Sequence, residues 1–111
     1  MKKWYKKQTK EVVLERVAYY SNIMKVSVTS IDIKSRKKEG GSCDNHGNIT
    51  FNWKLVMTRP EAIDYVVVHE LCHRKHMDHS KQFWKAVEAV CPNYKEQKAW
   101  INENAPNLNI E

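Results

Sequence analysis

The sequence has few cysteines and no paired cysteine motif. Its 111 residues include three cysteines, Cys43, Cys72 and Cys91, which lie far apart and form no Cys-x-x-Cys pair. An odd number at wide spacing argues against a disulfide framework and against a zinc site built from thiolates. We therefore expect reduced thiols and a cytoplasmic location.

Long apolar runs are also missing. No stretch approaches the roughly 18 consecutive apolar residues that a membrane-spanning helix requires, so no membrane association is predicted. The first ten residues are basic, but Glu11, Glu15 and Arg16 interrupt the next segment, which argues against a secretory signal. Apolar residues still make up 41% of the chain, and this content argues against a disordered protein.

Length and charge suggest one small basic domain. At about 100–200 residues per domain, residues 1–111 form a single domain, with a basic N-terminal segment (1–9) and a polar tail (105–111). The net charge is +6, and much of it lies in two clusters. These are Lys2, Lys3, Lys6, Lys7 and Lys10, and then Lys34, Arg36, Lys37 and Lys38. Such clusters can contact phosphate, although a solvated face and a frayed terminus are the ordinary interpretation.

Hydrophobic periodicity predicts an α+β fold. Helices are expected at residues 10–24, 60–76, 81–90 and 93–104, and strands at 26–33 and 48–53. Ser80 is predicted to cap the third helix. The buried faces predicted for the first and third helices are Val13, Val17, Tyr20 and Met24, and Phe83, Trp84, Val87 and Val90. The two strands are predicted to pair as a short antiparallel hairpin that packs on the central helix, 60–76. The segment between them, Lys34–Asn48, contains all three glycines and is predicted to be a loop.

The central helix carries polar residues where its neighbours are apolar. Thr58 and Glu61 have the spacing of a capping box, and Pro60 suits a first helical turn. The helix is apolar at Tyr65–Val68 and again at Leu71 and Cys72, yet it holds two histidines and a glutamate. Polar groups in such an interior cost several kcal/mol unless they have partners.

Those polar residues form the motif His69-Glu70-Leu71-Cys72-His73, an HExxH pattern. Positions i and i+4 lie on one face of a helix, so both imidazoles can reach one metal ion. Glu70 lies at the edge of that face, where it can act as a general base on an activated water. The alternatives are a pair of hydrogen-bonded core histidines and a glutamate that forms an ion pair or orients a ligand.

A third ligand is needed for a catalytic zinc site, which has three protein ligands and one open position. His79 is the leading candidate, because the helix can end after His73 and the chain can turn back. A capping or surface role for His79 is the alternative. Other candidate third ligands are His76, Glu88 and Glu96, whereas His46 is expected in a solvent-facing turn.

Tyr65–Trp84, YVVVHELCHRKHMDHSKQFW, resembles the YgjP-like and SprT-like zinc metallopeptidases. The resemblance extends over about residues 26–104 through Gly41-Ser42-Cys43, Gly47-Asn48-Ile49, Asn52-Trp53-Lys54-Leu55, Cys91-Pro92-Asn93-Tyr94 and Trp100. It implies a zincin-like core and peptide-bond hydrolysis, with one zinc ion (Zn2+) on His69, His73 and His79 and Glu70 as base.

The chain also resembles the minigluzincins, short peptidases kept latent by their C-terminal segments, in which a carboxylate third ligand is expected. Because of this resemblance, Glu88 and Glu96 remain candidate third ligands.

Two positions depart from the family pattern. Gly40 stands where the family usually has tryptophan before Gly-Ser-Cys, which would alter the cleft wall. Arg74 stands where an apolar residue usually follows the second zinc histidine, and we expect it to be exposed. Neither departure removes a ligand or the base.

The favoured function is therefore a zinc metallopeptidase acting on peptides or proteins. The substrate is expected to extend along the hairpin edge at residues 48–53. No oxyanion stabiliser is identified: Tyr65, Tyr94 and Ser80 are candidates, but a core or capping role is the favoured interpretation of each. Cys43 either faces the metal in a latent form or is a small buried thiol. Two rival hypotheses are a metal-bearing module that contacts nucleic acid weakly through the basic clusters, and a latent peptidase blocked by its C-terminal segment.

Overall fold

A computed structural model describes residues 2–34, 41–105 and 108 of the chain. Its elements follow in the order α1 (Lys2–Met24), β1 (Ser30–Lys34), β2 (Gly41–Cys43), β3 (Asn48–Asn52), a 3-10 helix (Trp53–Met57), α2 (Pro60–Cys72), α3 (Lys81–Val90) and α4 (Tyr94–Asn104). Four α-helices and a three-stranded sheet within the described residues confirm the predicted α+β class.

The sheet is mixed, with strand order β1-β3-β2. Strand β1 runs parallel to β3, with Ser30 opposite Asn48, so the predicted antiparallel hairpin between residues 26–33 and 48–53 is wrong. The hairpin instead joins β2 to β3, with Gly41 opposite Phe51. Strand β2 lies in the predicted loop and has only three residues, which is too few for a period-two pattern to show.

The β2–β3 turn explains where β1 begins. The Asp44 carboxylate accepts hydrogen bonds from the backbone amides of His46 and Asn48, each at 2.9 Å. Gly47 has φ +89°, a conformation that favours glycine. The carbonyl of Gly47 accepts the Thr29 amide at 2.8 Å. Residues 26–29 are therefore held by this turn and by the end of α1, where the Val26 amide donates to the Ser21 carbonyl. Strand β1 for this reason starts at Ser30 rather than at residue 26.

Helix α1 begins at Lys2, so the prediction of a frayed basic terminus before residue 10 is wrong. Val13, Val17 and Met24 are buried, as their spacing predicted, whereas Tyr20 is only partly buried. Polar contacts fix the helix against the rest of the fold. The Thr9 hydroxyl donates to the Trp53 carbonyl at 2.6 Å, and Arg16 forms two hydrogen bonds with Asp64 of α2, at 2.7 and 3.2 Å.

Helix α2 is the centre of the core, because every residue from Tyr65 to His73 is buried. Its N-cap is Arg59, and Pro60 occupies the first turn as predicted. The predicted capping box is wrong, since the Thr58 hydroxyl donates to the Leu55 carbonyl at 2.7 Å and ends the 3-10 helix instead. That 3-10 helix replaces the end of the strand predicted at 48–53.

Helices α3 and α4 close the other side of α2. Ser80 caps α3 by accepting the Phe83 amide at 3.4 Å, as predicted. Phe83 and Val87 of α3 and Ile101 of α4 are buried. Within the described ranges, no helix has both the length and the apolar character needed to cross a bilayer.

Some predicted features lie outside the described residues. These are Arg36, Lys37 and Lys38 of the second basic cluster, the departure at Gly40, and Pro106, Asn107 and Asn109–Glu111 of the polar tail. Leu108 is described and is 4% exposed within the hydrophobic core.

Candidate metal site

The end of α2 places two histidines and a glutamate together. His69 and Glu70 lie in the last turn, and His73 caps the helix with φ −65° and ψ −15°. The amides of His73 and Arg74 donate to carbonyls three residues earlier, at 3.2 and 3.0 Å. Such bonds tighten the end of a helix, so α2 ends at Cys72 rather than at residue 76, and the chain turns back.

That turn returns His79 to the other two histidines. The Nε2 atoms of His69 and His79 lie 3.4 Å apart. The His73 ring centroid lies 5.2 Å from that of His69 and 4.9 Å from that of His79. One nitrogen from each ring falls within 4.8 Å of the others. The sequence-predicted triad is therefore brought together in space.

One nitrogen–nitrogen distance within the triad suits zinc. Ligands at 2.0–2.1 Å in tetrahedral geometry lie roughly 3.3 Å from one another. The separation of 3.4 Å between His69 and His79 is close to this value. His69 and His73 are buried whereas His79 is exposed, which leaves one side of the cluster open to solvent. Three imidazoles with an accessible side match a catalytic zinc site better than a closed structural site.

The backbone and Tyr65 orient two of the rings. His73 Nδ1 lies 3.0 Å from the His76 carbonyl, and the tautomer that donates there carries its lone pair on Nε2. The Tyr65 hydroxyl lies 3.5 Å from His69 Nδ1, on the side of the ring away from His79. Partners of this kind fix the tautomer and orientation of metal-binding histidines. His76 thus contributes a carbonyl, and its side chain lies outside the triad.

An aromatic ring supports all three imidazoles. Phe83 is fully buried, and its centroid lies 5.0, 4.6 and 4.9 Å from those of His69, His73 and His79. Sequence periodicity identified Phe83 only as part of the buried stripe of α3. Its position four residues after His79 was the one signal of a role at the site.

The surroundings of His69 favour the neutral imidazole, which is the form that binds a metal. Burial, followed by the neighbouring His73 and His79, lowers the pKa of His69 to about 3. The imidazole is therefore neutral at physiological pH, as metal binding requires. In contrast, burial and the nearby Glu70 raise the pKa of Cys43 to about 11. Cys43 is thus a protonated thiol, which donates to the Asp44 carbonyl at 3.4 Å.

The other sequence candidates lie elsewhere. In the described part of the chain, the histidine triad is the only group of three potential ligands close enough to hold a metal, and Glu88, Glu96 and His46 are not part of it. The expectation that Arg74 is exposed is wrong: it is half-buried and donates to the carbonyls of Ser27 and Asn45, at 2.8 and 3.2 Å.

Glu70, next to His69 in sequence, is buried against strand β2. A Cβ atom placed on Gly41 would lie 3.1 Å from Glu70 Oε2 and 3.1 Å from the Thr50 carbonyl. Only glycine therefore allows β2 to approach the carboxylate this closely without a shift. Apart from the Gly-Ser-Cys resemblance, nothing in the sequence pointed to this contact.

The comparisons with known proteins identify the family. Residues 1–104 match the family model "YgjP-like, metallopeptidase domain". The chain belongs to the YgjP-like family. The family supports a metallopeptidase that acts on peptides or proteins, and it implies a metal, usually zinc. The match confirms the family resemblance carried by the sequence motifs and extends it to residue 1.

A solved structure shows the same fold. The metallopeptidase zymogen of Pyrococcus abyssi abylysin is similar to this chain with a TM-score of 0.78 and 24% identity, covering 86% of this chain and 97% of that one. At this identity the likeness shows the fold alone. A search of curated proteins found no match.

The site predicts one zinc ion per chain. We expect His73→Ala and His79→Ala each to weaken zinc binding by about 100-fold or more, because each removes one of three ligands. Competition titrations with a chelator of known affinity measure this effect. His46→Ala, in an exposed turn, is the matched control and should bind zinc like the wild type. Unchanged affinity in His79→Ala would remove this residue from the ligand set.

Proposed function

We propose that this chain is a zinc-dependent peptidase in which His69, His73 and His79 hold one zinc ion and Glu70 is the general base. The observation that supports this most directly is the convergence of three imidazoles, one of them next in sequence to a buried carboxylate. An HExxH pattern at the end of a core helix suits this division of roles, because the glutamate adjoins the ligands in sequence without joining their cluster.

The chemistry is determined by the residues present. Bound zinc supplies a Lewis acid that polarises the scissile carbonyl and lowers the pKa of a water towards ~7. Glu70 accepts the proton from the attacking water and passes it to the leaving amine. The low exposure of Glu70, 1%, keeps bulk solvent away from that proton. Phe83 and the His76 carbonyl hold the imidazoles in place.

We infer a substrate-binding edge different from the one that the sequence predicted. Strand β3 is central and pairs on both sides, so residues 48–52 offer no edge for another chain. Strand β2 pairs with β3, lies at one end of the described strand order, and approaches Glu70 at Gly41. An extended substrate paired with β2 would place its backbone beside the general base.

Glu70→Gln should abolish most peptidase activity while zinc binding persists. We expect kcat to fall by about 10²–10⁴-fold, because the amide cannot accept the proton. Hydrolysis of internally quenched peptides, together with zinc titration of the same sample, measures both properties. Glu61→Gln, at an exposed position on the same helix, is the control. Full activity in Glu70→Gln would rule out Glu70 as the base.

Gly41→Ala should reduce activity through the position of Glu70. The new methyl group meets the carboxylate and the Thr50 carbonyl, so either Glu70 or β2 must shift. We expect kcat/KM to fall by about 10-fold or more with zinc affinity unchanged, since small displacements of a catalytic group are costly. Ser42→Ala on the same strand is the control. Wild-type kcat/KM in Gly41→Ala would show that this close contact is dispensable.

A further inference from the structure

A stack of aromatic rings leads away from the histidine triad. Trp84 lies against His79 with ring centroids 5.9 Å apart and planes tilted by 27°. Tyr94 lies against Trp84 at 5.3 Å and 22°. The stack joins the only exposed member of the triad to the surface formed by α3 and α4. A ligand at the metal site therefore lies beside this surface.

The surface on both sides of the stack is concave and basic. One hollow of about 350 Å³ is lined by His79, Trp84 and Tyr94 together with Lys81, Lys85 and Glu88. A second, of about 330 Å³, adjoins Trp84 and Tyr94 and includes Lys95 and Lys98. All four lysines are exposed, and Glu88 is the only acidic residue in either lining. We refer to Trp84, Tyr94 and these four lysines as the lysine-aromatic surface.

The rings on this surface already have partners. The Trp84 ring contacts those of His79 and Tyr94, and Lys98 Nζ lies 4.9 Å from the Trp84 ring centroid. Single-stranded nucleic acids gain affinity by stacking bases on accessible aromatic faces. These contacts occupy part of the ring surface that a base would need, and four exposed ammonium groups line the hollows beside the rings. That chemistry favours a carboxylate ligand over a nucleobase.

We propose that the lysine-aromatic surface selects peptide substrates that carry an aspartate or glutamate within three residues of the scissile bond. The inference rests on the proposed peptidase function and names its substrate class. An extended peptide advances about 3.3–3.6 Å per residue. The Trp84 ring centroid lies 4.9 Å from Lys98 Nζ and 5.9 Å from the His79 ring centroid, so about three residues at most reach from the triad to this charge.

The first test uses matched peptides. Internally quenched peptides that differ only by Glu or Gln at one position, scanned over three residues on each side of the scissile bond, are given to the zinc-loaded protein. At one position or more, the Glu peptide should have a kcat/KM about five-fold higher than the Gln peptide, and high salt should diminish this preference.

The preference for the Glu peptide should fall to about two-fold or less in Lys85→Gln/Lys98→Gln, which removes one charge from each hollow. Equal hydrolysis of Glu and Gln peptides at every position would overturn the proposal.

A binding measurement separates this inference from the catalytic one. Fluorescence anisotropy of labelled Glu and Gln peptides with zinc-loaded Glu70→Gln requires no turnover. The Glu peptide should bind more tightly, and adding the Lys85→Gln/Lys98→Gln changes should remove the difference. Lys7→Gln/Lys10→Gln on α1 is the matched control and should retain it.

The outcomes are distinguishable. If no peptide is hydrolysed by the wild type but the Glu peptide still binds selectively, the proposed catalysis fails and the acidic preference stands. Equal affinity for both peptides would overturn the preference. If Lys85→Gln/Lys98→Gln loses affinity for a single-stranded oligonucleotide while peptide binding is unchanged, the surface binds nucleic acid and the proposal is wrong.

Discussion

The structure depends on keeping two imidazoles and a carboxylate inside an otherwise apolar helix. His69, Glu70 and His73 occupy buried positions that a core of this size would ordinarily fill with leucine or valine. Burying such groups is expensive unless hydrogen bonds or a metal compensate for the lost water. In the function proposed above, a cation shared by the three imidazoles would supply this compensation and make the interior of the fold a reactive site.

The rest of the chain positions these groups. Helix α2 ends early enough for the chain to bring His79 back, and Phe83 packs against all three rings. On the opposite side, the lack of a side chain at Gly41 lets β2 approach Glu70. Contacts between α1 and α2, such as Arg16 with Asp64, fix the central helix from outside the site. The exposed face of His79 leads to the basic surface of α3 and α4.

The sequence predicted the features that depend on local pattern. The buried faces of α1 and α3, the buried centre of α2, the Ser80 cap and the grouping of the three histidines all follow from spacing along one helix or one turn. The errors concern features set by distant partners. The strand at 26–33 was paired with the wrong orientation because a three-residue strand, Gly41–Cys43, carries too little pattern to be recognised. Thr58 has the right spacing for a cap, yet a 3-10 helix uses its hydroxyl.

X-ray absorption at the zinc K-edge, on protein loaded with one equivalent of zinc, tests the central claim most directly. Three imidazole nitrogens at about 2.0–2.1 Å and one further oxygen are the predicted coordination, with one imidazole lost in His79→Ala. A sulfur ligand at about 2.3 Å, or a spectrum with only two imidazoles that His79→Ala leaves unchanged, would contradict a zinc site built from His69, His73 and His79.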